Sequence, residues 1–416
     1  MAKFLYTTGI YFYWLAIRIA SFFNTKARDF ICGRKSWLQE LTDIISEKNK
    51  WIWVHCSSLG EFEQGKPVID KIKQHHPDHS VLLTFFSPSG YNAQKNYPLV
   101  DAVAYMPVDT PRNAKHFVET LDPACALFIK YEFWYHHLFQ LKKNKIPVFL
   151  ISAVFRPSQI FFRWYGKFFR KMLNIYTAVF LQDKYSESLV NSISDTETLV
   201  CGDTRFDRVK EVAQMPFQDD ILEAFVKDQD KVMVAGSTWP ADEKIISECL
   251  DSVSGLKVIL APHEIDDKHI ANINKLFTNK KICFYTKTTT EEASVSDILV
   301  VDVIGILSGI YRYGHFAYIG GGFGKGIHNV LEPVSYFLPV IFGQNYHRFI
   351  EAKELIKERV AFPVNDRDML CRIINKCMNK HFRKQCNKKA QHYMQNKSGT
   401  SEKIFDALQQ FDVFDA

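Results

Sequence analysis

"WIWVHCSSLGEFEQGKP", residues 51–67, decides how the first half of the chain folds. The run Trp51–Cys56 shows no polar alternation, so it reads as a strand covered on both faces, the mark of a parallel sheet between helices. Ser57, Ser58, Gly60 and Glu61 then form a turn into helical sequence, with Pro67 predicting a kinked helix. An acid in such a turn has little packing value and is well placed to take a proton from an incoming hydroxyl, which makes Glu61 the candidate catalytic residue. Ser58 and Gly60 are candidates for acceptor contact, Gly60 because its backbone lets a substrate pass close. His55 beside two serines raises the question of a nucleophilic Ser, but the chain has no G-x-S-x-G elbow, and hydrolysis is disfavoured.

Working outward, similar apolar runs recur at 80, 102, 124, 146, 177 and 198, separated by helical lengths. This is the pattern of an α/β layer fold. It pauses over 207–230, restarts at "KVMVAGS" (231–237), and continues through runs at 256, 281, 297, 316 and 338. The expected organisation is an N-terminal segment 1–24, a first α/β lobe 25–206, a linker 207–230, a second lobe 231–395, and a C-terminal segment 396–416 that packs back on the first lobe. Ligands bind beyond the carboxyl ends of strands in such sheets, so two doubly wound, Rossmann-like lobes are expected to face each other across a cleft. A chain of 416 residues is too long for one ordinary core, in keeping with two lobes.

Composition is globular: 47% hydrophobic and 24% charged residues exclude a largely disordered chain. A net charge of +6 favours an anionic partner without naming one. The nine cysteines form no CxxC pair and no zinc spacing, so they read as reduced thiols, and no metal or cofactor is expected.

In the second lobe, "YIGGGFGKGIHNVLEPVSYFLPVIFG" (318–343) places Gly322 and Gly324 after a strand, where backbone can approach a ligand and a following helix can offer N–H groups to an anion. The spacing fails the G-x-G-x-x-G dinucleotide fingerprint in every frame. Asn329 and Glu332 lie three residues apart on one face of a helix start, and a carboxylate there suits a ribose diol. The plain alternative is a helix cap. Gly236, Ser237 and Thr238 make a second strand-end loop fit for a phosphate or a sugar carboxylate, although Ser and Thr are also ordinary caps. His263 ends the next strand near the same anion, and Glu132 in "IKYEFWY", at a strand end of the first lobe, is the second carboxylate candidate and a candidate for acceptor contact.

The stretch Phe4–Phe23 carries one formal charge, Arg18, over twenty residues and is followed by Lys26, Arg28, Arg34 and Lys35. That predicts a membrane anchor with the rest of the chain in the cytoplasm, either spanning the bilayer or lying in its interface. A core helix of the first lobe is the alternative. Residues 155–172 hold Arg156, Arg163 and Arg170 among aromatic residues with no acid, which fits an anionic lipid surface and makes these arginines candidates for acceptor contact; a core stripe with a basic outer face is the alternative. Single-stranded nucleic acid would suit the same composition, but the anchor favours lipid, and no nucleic-acid partner is expected.

With these residues in view, the chain resembles the bacterial 3-deoxy-D-manno-octulosonic acid (Kdo) transferases of lipid A assembly. The resemblance runs in order through the N-terminal anchor, "HCSSLGE", "FFSPSGY", "YEFW", "LISAVFRPS", "GDTRFDRV", "AGSTW" and "GGGFGKGIHNVLEPVSYFLPVIFG". It implies a GT-B glycosyltransferase that uses no metal and inverts the anomeric carbon. The donor would be CMP-Kdo, and the acceptor a lipid A precursor at the cytoplasmic face of the inner membrane. It also implies Glu61 as general base and Glu332 on the CMP ribose, with Ser237 and Thr238 in the donor loop. Two positions depart from the family pattern: Lys130 stands where an acid is common, and Ala261–Glu264 lacks the Arg of an A-P-R-H element. The two-lobed architecture would equally suit a sugar-nucleotide epimerase or a silent nucleotide-binding module; the first needs no anchor, and the second needs no Glu61.

Overall fold

The computed structural model describes residues 1–45 and 50–414, so the last two residues of the 396–416 segment lie outside the described residues. Two compact units emerge, one formed by residues 1–208 with 398–416 and the other by 209–397. Each holds one seven-stranded, all-parallel sheet among the described residues, the architecture of the GT-B class.

In the first unit the strands are β1 (Trp51–Cys56), β2 (Ser80–Phe85), β3 (Ala102–Tyr105), β4 (Cys125–Ile129), β5 (Val148–Ala153), β6 (Ala178–Leu181) and β7 (Glu197–Val200), in the order β3-β2-β1-β4-β5-β6-β7. Every residue of β1 is buried, and its register sets Val54 beside Leu83 on one side and Leu127 on the other. The order reverses between β1 and β4, and a crevice opens at such a switch point because the following loops diverge to opposite faces. The loops after these two strands carry Glu61 and Glu132.

The second unit contains β8 (Val232–Thr238), β9 (Lys257–Pro262), β10 (Ile282–Phe284), β11 (Ile298–Val300), β12 (Phe316–Ile319), β13 (Val340–Gly343) and β14 (Ala361–Val364), in the order β10-β11-β9-β8-β12-β13-β14. Its switch point lies between β8 and β12, whose loops are the Ser237 turn and the glycine stretch. Strand β14 is absent from the sequence reading. "AFPV" is short and holds Pro363, which is tolerated because the strand lies at an edge.

The boundary at 206 shifts by two residues, and the expected linker 207–230 is mostly structure of the second unit. Leu222 and Phe225 of the helix Asp220–Val226 are fully buried, and Asp219 accepts from Leu222 N as its cap. The basic helices Arg367–Met378 and Lys380–Lys397 also stay with the second unit, and the chain returns to the first only from Ser398. There Ile404, Phe405 and Leu408 join Val54, Ile69 and Leu83 in one core cluster. A further correction concerns the thiols: Cys249 and Cys371, 122 residues apart, are bonded with a Cα–Cα distance of 5.5 Å, a pairing that spacing alone does not reveal.

The N-terminal stretch folds as the helix Ala2–Ala20, with no buried residue. No helix among the described residues is long and apolar enough to cross a membrane. Lys3, Thr7, Thr8 and Arg18 dilute the apolar run below what a hydrocarbon core accepts. One side of the helix docks on the first unit: Tyr6 donates its hydroxyl to the buried Asp109 at 2.6 Å, and Thr7 bonds His136 at 3.0 Å. The other side leaves Phe4, Phe12, Leu15 and Ile19 exposed. Replacing Tyr6 by Phe removes one donor to a buried carboxylate, worth about 1.5–3 kcal/mol. Residues 2–20 of the variant should therefore exchange amide hydrogens and be cleaved by protease much faster than in the parent chain, with the remainder unchanged.

Candidate active site

At the first switch point, Ser58 caps the helix Leu59–His75: its hydroxyl accepts from Gly60 N at 3.2 Å and donates to the Glu61 carboxylate. The cap holds Glu61 half-exposed on the first helical turn. Glu132 has a different setting. It is 3% exposed, accepts from the Trp134 indole at 2.5 Å, and lies 3.4 Å from His55 Nε2, close enough for charge pairing though misaligned for a hydrogen bond. Burial works to raise its carboxyl, but His55, Ser57 and Trp134 together outweigh burial and hold it below the ordinary value. His55 is braced from behind by Thr84 at 2.9 Å, which also accepts from Trp53.

Both carboxylates act on the same buried thiol, Cys56, which burial first and their charges second push well above its ordinary range. Ser58, Gly60, Glu61 and Glu132 therefore share one neighbourhood. Arg156 belongs to it as well: its charge, with those of Arg205 and Glu61, acts on the Tyr131 hydroxyl, which burial raises. Arg163 lies exposed on the loop before the helix Lys167–Leu173, and Arg170 lies within that helix. The aromatic residues around them divide. Phe155 and Phe161 enter the core, whereas Trp164 is 90% exposed. Lys130 adopts a left-handed backbone with φ of 76°, and its ammonium lies 5.6 Å from the Tyr131 ring. Such conformations are costly and tend to gather at functional sites.

At the second switch point the glycines prove to have structural reasons. A Cβ on Gly322 would collide with the Gly343 backbone, and one on Gly236 with the Tyr311 hydroxyl. Gly322→Ala should accordingly destabilise the second unit by about 1–3 kcal/mol through overpacking, read as an earlier urea transition of that unit. Gly324 is open; its nearest neighbour would be Gly321 O at 3.7 Å. The next helix starts only at Leu331 and has five residues, so the glycine stretch is a series of turns and not the immediate start of an anion-binding helix.

Asn329 Nδ2 donates to Glu332 at 2.9 Å while its Oδ1 caps Leu331 N, so the pair predicted on one face is joined. Ser237 has a left-handed φ of 53°. Thr238 turns its hydroxyl inward to the buried Glu243, which also accepts from His269 at 2.9 Å, leaving Ser237 as the loop's outward hydroxyl. His263 packs against both Trp239 and His328, with ring centroids 4.7 and 4.5 Å away, and the Trp239 indole donates to His328 Nε2 at 3.0 Å.

Sequence reasoning missed Asp242. Buried at 1% exposure, it accepts from Trp239 N, Tyr318 Oη and Gly321 N, and so ties the Ser237 loop to the glycine stretch. Burial raises its carboxyl despite these donors. An acid in the first turn of a helix reads as a cap, and nothing in its spacing shows the third partner. His55 did leave a signal, a polar residue inside an otherwise apolar strand.

Residues 34–208 match the family model described as 3-deoxy-D-manno-octulosonic-acid transferase (kdotransferase). A 3-deoxy-D-manno-octulosonic acid transferase of Aquifex aeolicus is 29% identical over 322 residues, covering 76% of this chain and 82% of that protein. The Chlamydia muridarum protein of the same description is 23% identical over 379 residues, covering 86% and 85%. Among solved structures, a UDP-GlcNAc 2-epimerase from Neisseria meningitidis superposes with a TM-score of 0.62 over 86% of this chain and 100% of its own; at 15% identity the likeness is one of fold. The chain is thus similar to the 3-deoxy-D-manno-octulosonic acid transferases over most of its length, with residues 34–208 matching their family model.

Proposed function

We propose that the chain transfers Kdo from CMP-Kdo to a lipid A precursor, with inversion at the anomeric carbon and Glu61 as general base. The acceptor hydroxyl oxygen bonds to the anomeric carbon as the bond from that carbon to the CMP phosphate oxygen breaks. The hydroxyl proton passes to Glu61, and CMP leaves with the bonding pair. The observation that carries this reading is the contrast between the two carboxylates at the first switch point. Glu132 is buried and committed to His55 and Trp134, whereas Glu61 is half-exposed on a capped helix start and able to meet a hydroxyl.

In the second lobe, Glu332 takes the ribose hydroxyls, Asn329 orients it, and Ser237 with His263 meets the phosphate and sugar carboxylate. Charge on the leaving phosphate is met by these groups without a metal. A chelator should leave the rate unchanged.

The reading also places the enzyme at the cytoplasmic face of the inner membrane, with the helix Ala2–Ala20 lying in the interface. Its support is the exposed apolar stripe Phe4, Phe12, Leu15 and Ile19, with Trp164 and Arg163 on the same unit. The decisive experiment incubates the purified protein with CMP-Kdo and a lipid A precursor and weighs the product. A mass increase of one or more Kdo units with matching CMP release supports the reading, and CMP-Kdo returned intact with unmodified lipid refutes it.

A further inference from the structure

A cavity of about 390 Å³ opens in the first lobe, beyond the carboxyl end of β3 and away from the carboxylates described above. Its walls come from three places: Tyr11 and Trp14 of the N-terminal helix, Trp37 of the helix Trp37–Ile44, and Arg112 and Asn113 at the start of the helix Pro111–Leu121. Arg34 forms part of the lining. No acid lines it.

Arg34 is the unusual element. It is 5% exposed, its nitrogens donate to the carbonyls of Phe30, Met106 and Phe86, and its guanidinium lies 3.7 Å from the Phe30 ring centroid. Burial lowers its pKa to about 9, so it remains a cation near neutrality. Carbonyls and rings satisfy its donors without neutralising its charge, and a buried cation left that way is expensive. A second cation, Arg112, stands exposed at the same cavity. Trp14, Trp37 and Tyr11 supply the amphipathic rings that sit well where apolar and wet surfaces meet. The exposed side chains of Phe12 and Leu15 continue from Tyr11 along the N-terminal helix. Cations at the centre, indoles around them and an aliphatic exit describe a phosphate ester carried on an acylated molecule.

The position selects among such molecules. The strand order β3-β2-β1 sets the cavity at the same carboxyl end of the sheet as Glu61, two strand spacings away, or about 10 Å. That is the length scale of a disaccharide. We propose that this cavity seats a phosphate ester of the acyl-sugar acceptor, with Arg112 and Arg34 meeting its charge. The assignment to the acceptor rests on the transferase reading above; the affinity for a lipid phosphate does not.

The test uses the full chain and Arg112→Ala, whose side chain is exposed and lies outside the carboxylate site. Binding of a phosphorylated lipid A precursor, of the same lipid after phosphatase treatment, and of phosphatidylglycerol vesicles is measured by calorimetry without donor. The expected result is a loss of about tenfold or more for the phosphorylated precursor only, equal to about 1.4 kcal/mol. With donor present, the acceptor KM should rise while the CMP-Kdo KM stays constant. An equal loss on the dephosphorylated lipid, or no loss at all, overturns the proposal. A loss shared by the phospholipid vesicles also overturns it, making the cavity a bilayer headgroup site. Selective binding of the phosphorylated precursor in a chain that transfers nothing would sink the transferase reading and leave the phosphate site standing.

Discussion

Glu61→Gln should lower kcat for Kdo transfer by about 10²–10⁴, the usual worth of a positioned base. An amide keeps the shape of the carboxylate and still accepts from the Ser58 hydroxyl, so the helix cap survives. Melting temperature and CMP affinity should then match the parent chain, which separates loss of chemistry from loss of fold. Ser58→Ala serves as the partial version, since it frees Glu61 without removing it. A Glu61→Gln enzyme that turns over at near the parent rate would move the base elsewhere, and Glu132 would be the first residue to re-examine.

The second large effect is predicted at Asp109, which takes no part in the chemistry. Its fully buried carboxylate accepts from Tyr6 Oη, His136 N, His137 N and His137 Nδ1. Burial acts to raise its pKa, but His137, Tyr6 and the His136 amide outweigh burial and leave it below the ordinary value. Asp109→Asn leaves several of these donors facing an amide, and breaking a buried charged group of this kind costs about 3–5 kcal/mol. For a unit of this size the melting transition should fall by about 10 °C. The pH dependence has a definite sign. A depressed folded-state pKa gives stability that is complete above the unfolded value of about 3.9 and is lost as pH falls through the folded value. The gap between parent and variant should thus be widest near neutrality and narrow in acid. A gap that is constant down to pH 3 would mean that Asp109 is not the ionised centre of this cluster.

Much of the fold was legible because parallel strands covered on both faces announce themselves as unbroken apolar runs. Among the described residues thirteen of the fourteen strands follow from such runs, and β14, short and interrupted by Pro363, escapes. Turns at strand ends gave Glu61, Glu332 and Ser237 their places for the same reason. What the sequence concealed is whatever depends on contacts between distant segments. Asp242 draws partners from residues 239, 318 and 321, and Asp109 from residues 6, 136 and 137; no local spacing encodes either set. The glycines point the other way. Their pattern suggested ligand approach, yet at Gly236 and Gly322 the close neighbour is the protein itself. The N-terminal stretch shows a similar limit: the run from Phe4 to Phe23 suggested an anchor, whereas the helix that forms, Ala2–Ala20, takes in Lys3 as well as Arg18 and falls short of the apolarity of a crossing helix.

The return of the chain at Ser398 has a consequence for biosynthesis. Because Ile404, Phe405, Leu408 and Phe414 belong to the core that β1 and β2 begin, the first unit stays unfinished until the chain beyond Lys397 has been made. The second unit is in effect an insertion, encoded later but complete earlier. On the ribosome it can close while its older neighbour still exposes an apolar gap over the helix Leu59–His75, waiting for the helix Thr400–Gln410 to emerge.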